Sequence, residues 1–225
     1  MACSAPVVLF IFRRPEVTAR VFEAIRAAQP SQLFIVADGP SSAAERPQCE
    51  ATQAVVSHID WPCDVHREYS EENLGCKKRI SSGLNWVFSQ VDKAIILEDD
   101  CLPSHSFFQY CEELLDKYED DTRVMLIGGS NFLCADSASP YSYYFSGFSQ
   151  IWGWATWKRA WMFYDVAMTQ WPVVREHYPS IFERFQTQQA IAQRKTIWEE
   201  SYSVGIDAWS YQWIFSVSSQ RGLCI

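Results

Sequence analysis

An apolar segment that ends in three consecutive carboxylates constrains the fold of this chain more than any other feature. Ile95, Ile96 and Leu97 are followed directly by Glu98-Asp99-Asp100, and Pro103 prevents regular structure from continuing. A continuous apolar run is typical of a parallel strand buried on both faces, and ligands of open α/β sheets bind outside the carboxyl ends of such strands. Adjacent acids repel one another unless water, hydrogen-bond donors or a divalent cation compensates. The pattern predicts an interior strand with a cation site at its end; a solvated acidic turn is the alternative.

Strand and helix patterns alternate along the first 130 residues. Apolar runs predict strands over 7–12, 33–37, around 65, 94–97 and 124–127. Helices are expected between them, over 15–28, 43–58, 75–90 and 104–118, with Pro15 in the first turn of the first and a serine capping the last. This alternation favours right-handed crossovers and a mostly parallel central sheet flanked by helices, in the α/β class.

Composition excludes several classes of protein. The 225 residues are 48% hydrophobic and 15% aromatic, which supports a sizeable core and argues against disorder. A formal net charge of −8 argues against nucleic-acid binding, because phosphate contacts rely on lysine and arginine. The eight cysteines form no CxxC pair and predict free thiols in a reducing cytoplasm. The six-residue apolar run at 7–12 is too short for a membrane span, and peripheral contact at the inner face of the membrane is left open.

Aromatic residues dominate the chain after about residue 130. They cluster at 141–145 and 152–161, and we expect residues 131–225 to form a lobe packed on the first half within a single domain. Burial in the core is the commoner fate of tryptophan. In Trp152-Gly153-Trp154, however, the glycine would allow close backbone approach to a ligand, and flat indole rings suit the apolar faces of sugars. These three residues are therefore the predicted sugar or acceptor platform.

A cationic helix start lies between the third and fourth predicted strands. Asn73-Leu74-Gly75 precedes Lys77-Lys78-Arg79, so that backbone amides and a lysine such as Lys78 could steady a diphosphate. An exposed basic helix face is the commoner explanation of such a charge run.

Several motifs occur together in the order found in one known group of enzymes. The chain resembles GT-A glycosyltransferases, similar to the N-acetylglucosaminyltransferases that extend N-glycans and to bacterial family 2-like sugar transferases. The resemblance covers nearly the whole chain and implies a Rossmann-like nucleotide-diphospho-sugar transferase fold, with a donor half over 1–130 and an acceptor-side lobe over 131–225. It is carried by Phe12-Arg13-Arg14-Pro15, Asp38, Glu98-Asp99-Asp100, Phe107-Phe108, Trp152-Gly153-Trp154 and Asp207-Ala208-Trp209.

The resemblance also implies roles for individual residues. The expected metal is Mn²⁺ or Mg²⁺, held beside the diphosphate by the last acid of the triplet. By this resemblance, Arg14 would contact the nucleotide and Asp38 would bind the uracil edge. Glu98 and Asp99 would lie near the nucleobase and the ribose, and Asp100 would bind the metal. Asp207 would be the general base that activates the acceptor hydroxyl. A cap for a helix starting at 208–210 is the alternative role of Asp207.

The expected activity is therefore metal-dependent transfer of a hexosyl or N-acetylhexosaminyl group from a UDP-sugar to a glycan or lipid-linked saccharide, with inversion. A hard cation neutralises the leaving diphosphate, and a carboxylate takes the acceptor proton. Ser210 stands where related sequences have an acid, and the family's C-terminal tail is missing after Ile225, which keeps truncation and a non-catalytic binding module as alternatives. A nucleotidyltransferase is less favoured, because Phe12-Arg13-Arg14-Pro15 contains no glycine.

Overall fold

The computed structural model describes residues 3–132, 140–185 and 187–225, and it has an α/β architecture. Cys134, one of the predicted free thiols, lies outside these ranges. The strands are β1 (Val7–Ile11), β2 (Gln32–Ala37), β3 (Asp64–Tyr69), β4 (Lys93–Glu98), β5 (Val124–Gly128), β6 (Trp154–Trp157) and β7 (Leu223–Cys224). The helices are α1 (Pro15–Ala28), α2 (Arg46–Val55), α3 (Gly75–Phe88), α4 (Phe107–Lys117), α5 (Lys158–Trp161), α6 (Trp171–His177), α7 (Gln188–Ser203) and α8 (Ser210–Ser219), with a 3-10 helix at Pro179–Phe182.

The strands form one seven-stranded sheet in the order β3-β2-β1-β4-β6-β5-β7. The pairs β3-β2, β2-β1 and β1-β4 are parallel, as is β5-β7, whereas β6 runs antiparallel to both of its neighbours. The predicted α/β class with a mostly parallel sheet flanked by helices is confirmed. Because β1, β2 and β4 are parallel neighbours, the segments that follow them meet at one edge of the sheet.

The two faces of the sheet carry separate cores. Alternate side chains of β1 point to opposite faces, so that Leu9 packs with α1 and α4, whereas Phe10 packs with α3 and α8. Gly83 allows α3 to approach its face closely, since a Cβ there would lie 2.7 Å from side-chain atoms of both Phe10 and Val36. The interior position of β4 explains its continuous apolar sequence.

Five helix boundaries differ from the sequence prediction, and two of them are the ends of the second and fourth helices, at Val55 and not 58 and at Lys117 and not 118. The second helix begins at Arg46 and not at 43, because residues 41–45 form a turn closed by a hydrogen bond from Ser41 N to Glu45 Oε2 (3.0 Å). The third ends at Phe88 and not at 90. The fourth begins at Phe107, and its N-cap residue Ser106 makes no side-chain capping bond, so the predicted serine cap is wrong.

The C-terminal residues build a third apolar cluster. It includes Met168, Trp171 and Trp198, and α8 joins it to the sheet because Phe215 faces this cluster while Trp213 faces the sheet. The division at residue 130 stays a prediction. No helix among the described residues is long and apolar enough to cross a membrane.

Candidate active site

Arginine and carboxylates converge where β1 and β4 end. Arg14 is the N-cap residue of α1, and its Nη1 lies 2.9 Å from Asp100 Oδ2. Its Nε donates to Asp99 Oδ2 at 3.3 Å, and its Nη2 donates to the other oxygen of the same carboxylate. Asp99 is 3% exposed, whereas the side chain of Asp100 is 51% exposed. One guanidinium therefore spans a buried acid and an accessible one.

Burial and pairing with Arg14 have opposite effects on the pKa of Asp99. Burial raises the pKa of Asp99, and the hydrogen bond and charge of Arg14 lower it. The hydrogen bond with Asp99 raises the pKa of Arg14. The guanidinium is consequently a fixed positive charge committed to the triplet, which makes the Arg14–Asp99 pair a scaffold for the more accessible Asp100.

Glu98 lies on the other face of β4 from the cavity described below. It is half-buried, and burial, together with the neighbouring Asp100 and Asp99, raises its pKa to about 7. A side-chain hydrogen bond with Trp209 opposes this shift. A carboxyl group with such a pKa changes its charge near neutral pH.

Glu98→Gln is expected to change how stability depends on pH. The unfolded carboxyl ionises near pH 4.5 and the folded one near 7, so wild-type stability falls as the pH rises through this window. Urea unfolding in chelator-treated buffer measures this difference. As the pH rises from 4.5 to 8, the free energy of unfolding of the variant should increase by about 1–3 kcal/mol relative to that of wild type. Glu16→Gln provides the comparison for loss of an exposed carboxylate. An equal difference at both pH values would contradict the raised pKa.

Both carboxylate oxygens of Asp38 accept hydrogen bonds from other groups of the protein. Its Oδ1 accepts from Gly39 N (3.0 Å) and Leu74 N (2.9 Å), and its Oδ2 accepts from Gly75 N (3.1 Å) and Asn73 Nδ2 (3.1 Å). It is 6% exposed. Contact with a uracil edge would therefore compete with these bonds. The role of Asp38 at the uracil edge and that of Asn73 at the donor diphosphate stay predictions.

Asp207 lies at the N-terminus of α3 and not at the start of α8. Its two carboxylate oxygens accept hydrogen bonds from Cys76 N and Lys77 N, at 3.1 and 2.9 Å. The alternative that it caps a helix starting at 208–210 is wrong, because α8 begins at Ser210 with Trp209 as its N-cap residue. The amides that were expected to steady a diphosphate are thus engaged by carboxylates, and Lys78 is exposed beside them.

A cavity of about 550 Å³ opens at the carboxyl end of β4. It is bounded by the segment after β4, the start of α4, the end of β5 and the turn before β6. Asp100 is the carboxylate in its wall, and no lysine or arginine of the described residues lines it. The lining residues are Leu97, Asp100, Cys101, Leu102, Pro103, Ser104, Phe107, Gly129, Ser130, Trp152 and Gly153.

The predicted aromatic platform is divided between the cavity and the core. Trp152 is 59% exposed and meets Phe132 edge to face, with ring centroids 5.5 Å apart. Gly153 has a φ of +66°, a conformation that favours glycine. Trp154 is 1% exposed and stacks on Trp209 in the core, so its ring offers no face to a ligand in the cavity. Among the three, Trp152 and Gly153 line the cavity.

Several cavity residues were missed by sequence analysis. Cys101 directly follows the acidic triplet and Ser104 comes shortly after it, so their position after a strand end was a usable signal. Burial raises the pKa of the Cys101 thiol to about 11, which keeps it protonated at neutral pH. Gly129 and Ser130 follow β5, and their approach to β4 depends on the strand order β4-β6-β5, which sequence periodicity does not provide.

The described residues contain no group of three or more histidine, cysteine, aspartate or glutamate side chains arranged to hold a metal ion. Mn²⁺ and Mg²⁺ prefer oxygen ligands, and Mg²⁺ commonly uses one or two carboxylates together with substrate phosphates and water. The half-exposed carboxylate of Asp100 in the cavity wall, one oxygen of which pairs with Arg14, fits a cation held in this way.

Comparison with protein-family models and with curated proteins finds no match. Among solved structures, 4-diphosphocytidyl-2C-methyl-D-erythritol synthase from Anaerococcus prevotii is 9% identical with a TM-score of 0.42, and the match covers 87% of this chain and 99% of that one. Rv0371c from Mycobacterium tuberculosis H37Rv is 15% identical with a TM-score of 0.33, covering 56% of this chain and 66% of that one. Likeness at these TM-scores assigns no function to this chain.

Proposed function

We propose that the chain is a metal-dependent glycosyltransferase that moves a sugar from a nucleotide-diphosphate donor, of the UDP-sugar type, to a hydroxyl of a glycan or lipid-linked saccharide. The observation that carries the proposal is the placement of Asp100. It lies after the carboxyl end of an interior strand that runs parallel to β1, and in the wall of a cavity of about 550 Å³. Pockets for small ligands typically measure about 300–1,000 Å³. The cavity thus has the size for a sugar beside a charged edge.

The charges at this edge favour participation of a divalent cation. Arg14 is already shared between Asp99 and Asp100, so these three groups together carry about one negative charge. A donor diphosphate would add further negative charge, and the α3 amides that could receive it are bound to Asp38 and Asp207. Like charges at short distance are costly unless a cation offsets them. Asp100 would hold Mn²⁺ or Mg²⁺, which when bound supplies neutralisation of the leaving diphosphate.

The lining of the cavity suits an uncharged saccharide. Ser104 and Ser130 supply hydroxyl groups, and the exposed ring of Trp152 supplies an apolar face with an N–H at its edge. Sugar rings combine apolar faces with hydroxyl rims, which match these two kinds of group. The stereochemistry of transfer stays a prediction, since inversion was argued from a base at Asp207.

A non-catalytic nucleotide-sugar or glycan binding module of the same fold is the second candidate. It is favoured by one observation, that both oxygens of Asp207 accept backbone hydrogen bonds from α3. A carboxylate so engaged is poorly placed to remove a proton from an acceptor hydroxyl.

A donor panel distinguishes the two candidates. The intact chain is incubated with UDP-, GDP- and CDP-sugars and Mn²⁺, with neutral saccharides as acceptors. We expect release of free nucleoside diphosphate that increases with acceptor, together with a rise in melting temperature on donor binding. A thermal shift without release would support the binding module. The absence of both a thermal shift and release would refute both candidates.

A further inference from the structure

The N-terminus of α3 obtains its cap from distant parts of the chain. Its N-cap residue is Leu74, which offers no side-chain acceptor, and the first N–H groups of a helix have no partners within the helix. Asp38, 36 residues earlier, accepts the N–H of Leu74, and it also accepts that of Gly75. Asp207 accepts the next two N–H groups, at 3.1 and 2.9 Å. Two remote carboxylates thus replace the missing local cap.

The helix is shaped to receive Asp207. Gly75 has a φ of +76°, and a Cβ at this position would lie 2.8 Å from Asp207 Oδ2. Glycine thus provides both the backbone conformation and the space for the carboxylate. Lysines follow at 77 and 78, where positive charge opposes the helix dipole, and a carboxylate at this end compensates. These features indicate a specific contact between α3 and the connection from α7 to α8.

The same connection also reaches the acidic edge. Two residues after Asp207, the side chain of Trp209 hydrogen-bonds to Glu98 and stacks on Trp154, with ring centroids 5.3 Å apart. Residues 207–209 therefore join the first turn of α3 to the end of β4. Any displacement of this segment would alter the spacing between the two.

The cavity lies elsewhere. Its walls include Leu97 and Phe107, which belong to the core on the α1 and α4 side of the sheet, whereas α3 covers the opposite side. Asp207 is not among the cavity-lining residues, and each of its oxygens accepts an amide hydrogen. A base must reach the acceptor hydroxyl, and this position does not face the space proposed for saccharide.

We infer that Asp207 is a positioning residue that fixes the first turn of α3 relative to the end of β4, where the acidic triplet lies, and that it is not the base that deprotonates the acceptor. The inference rests on the proposed function for the identity of the donor. Its structural part, the capping of α3 by Asp207, is independent of turnover.

Asp207→Ala and Asp207→Asn test this role, with Thr187→Ala as the matched control, because Thr187 caps α7 through its side chain and is not among the cavity-lining residues. In Asp207→Ala, hydrogen exchange at the amides of Cys76 and Lys77 should accelerate about tenfold or more, because they lose their acceptors. Because the segment 207–209 also contacts Glu98 of the triplet, its loosening should raise the Kd of UDP in the presence of Mn²⁺ and the KM for donor about tenfold. Asn keeps one acceptor oxygen and should fall between wild type and Ala. Thr187→Ala should leave exchange at both amides and the Kd of UDP unchanged.

If Asp207 were the base that deprotonates the acceptor, its variants would give different kinetic results. If Asp207→Asn lowered kcat more than a hundredfold, removed the corresponding limb of the pH–kcat profile and left donor KM and amide exchange unchanged, the positioning role would be overturned. Unchanged exchange in Asp207→Ala would overturn it as well. Should wild type bind no UDP, the proposed function fails, while accelerated exchange at Cys76 and Lys77 would still establish the capping contact.

Discussion

Asp100→Asn is expected to lower Mn²⁺-dependent transfer by about 10²–10³-fold, the usual cost of removing one electrostatic stabiliser of a transition state. The carboxylate lines the cavity, its side chain is 51% exposed, and Arg14 Nη1 contacts one of its oxygens at 2.9 Å. Asn preserves the shape and removes the charge. The measurement is kcat/KM for donor across a Mn²⁺ titration, together with calorimetry of UDP binding with and without Mn²⁺. We expect the cation to strengthen UDP binding in wild type and to have little effect in the variant.

Asp92→Asn is the matched control for Asp100→Asn. Asp92 precedes β4, at the opposite end of the strand from the triplet, and its side chain is 87% exposed with Lys158 Nζ 3.9 Å away. The substitution removes the same charge from the same strand but far from the cavity. Kinetics and UDP binding should therefore match wild type. If Asp92→Asn and Asp100→Asn had equal effects, or if Asp100→Asn retained Mn²⁺-dependent UDP binding, Asp100 would not be the cation ligand.

The fold of the first 130 residues could largely be predicted from the sequence. The segment that became β4 is apolar without interruption because the strand is interior and has helices over both faces. Pro15 begins α1, as proline in a first turn predicts, and a left-handed Gln29 ends it. These signals are local, and local propensity and tertiary packing agree there.

The structure after residue 130 was less predictable, because it depends on contacts between distant residues. The amides that donate hydrogen bonds to Asp207 lie 130 and 131 residues earlier in the chain. The sequence around Asp207 therefore does not predict its contact with α3, and the sequence of α3 does not predict Asp207 as its partner. The N-cap residue of α3, Leu74, has no side-chain acceptor for the first N–H groups of the helix. The missing local cap was the available sign of an acceptor elsewhere in the chain. The antiparallel β6 is also set by tertiary pairing with β4 and β5.

The two tryptophans of the Trp152-Gly153-Trp154 motif illustrate the limit of pattern analysis. In an extended segment, residues two apart share a face, and both rings were expected at one platform. Gly153 has a φ of +66°, which breaks this alternation. Trp152 consequently turns toward the cavity, while Trp154 begins β6 and packs inward. A single backbone angle therefore decides which of the two rings is accessible to a ligand.

Trp154→Ala is expected to lower the free energy of unfolding by about 3–5 kcal/mol, the typical cost of removing a large buried aromatic side chain. The ring is 1% exposed and packs against Trp209 and Trp213 at centroid distances of 5.3 and 5.7 Å. Urea unfolding followed by circular dichroism measures the loss. If this variant does not fold, Trp154→Phe keeps a ring and removes an indole N–H that has no acceptor among the described residues, so it should retain most of the stability.

Trp152→Ala should give the opposite result, because this ring is 59% exposed and its contact is an edge-to-face pair with Phe132. Its unfolding free energy should stay within about 0.5 kcal/mol of wild type, as for other surface substitutions. The KM for saccharide acceptor should rise, since the variant removes the apolar face in the cavity wall. Equal destabilisation by the Trp152 and Trp154 substitutions would contradict the assignment of one ring to the cavity and the other to the core. An unchanged acceptor KM in Trp152→Ala would remove this ring from the saccharide site.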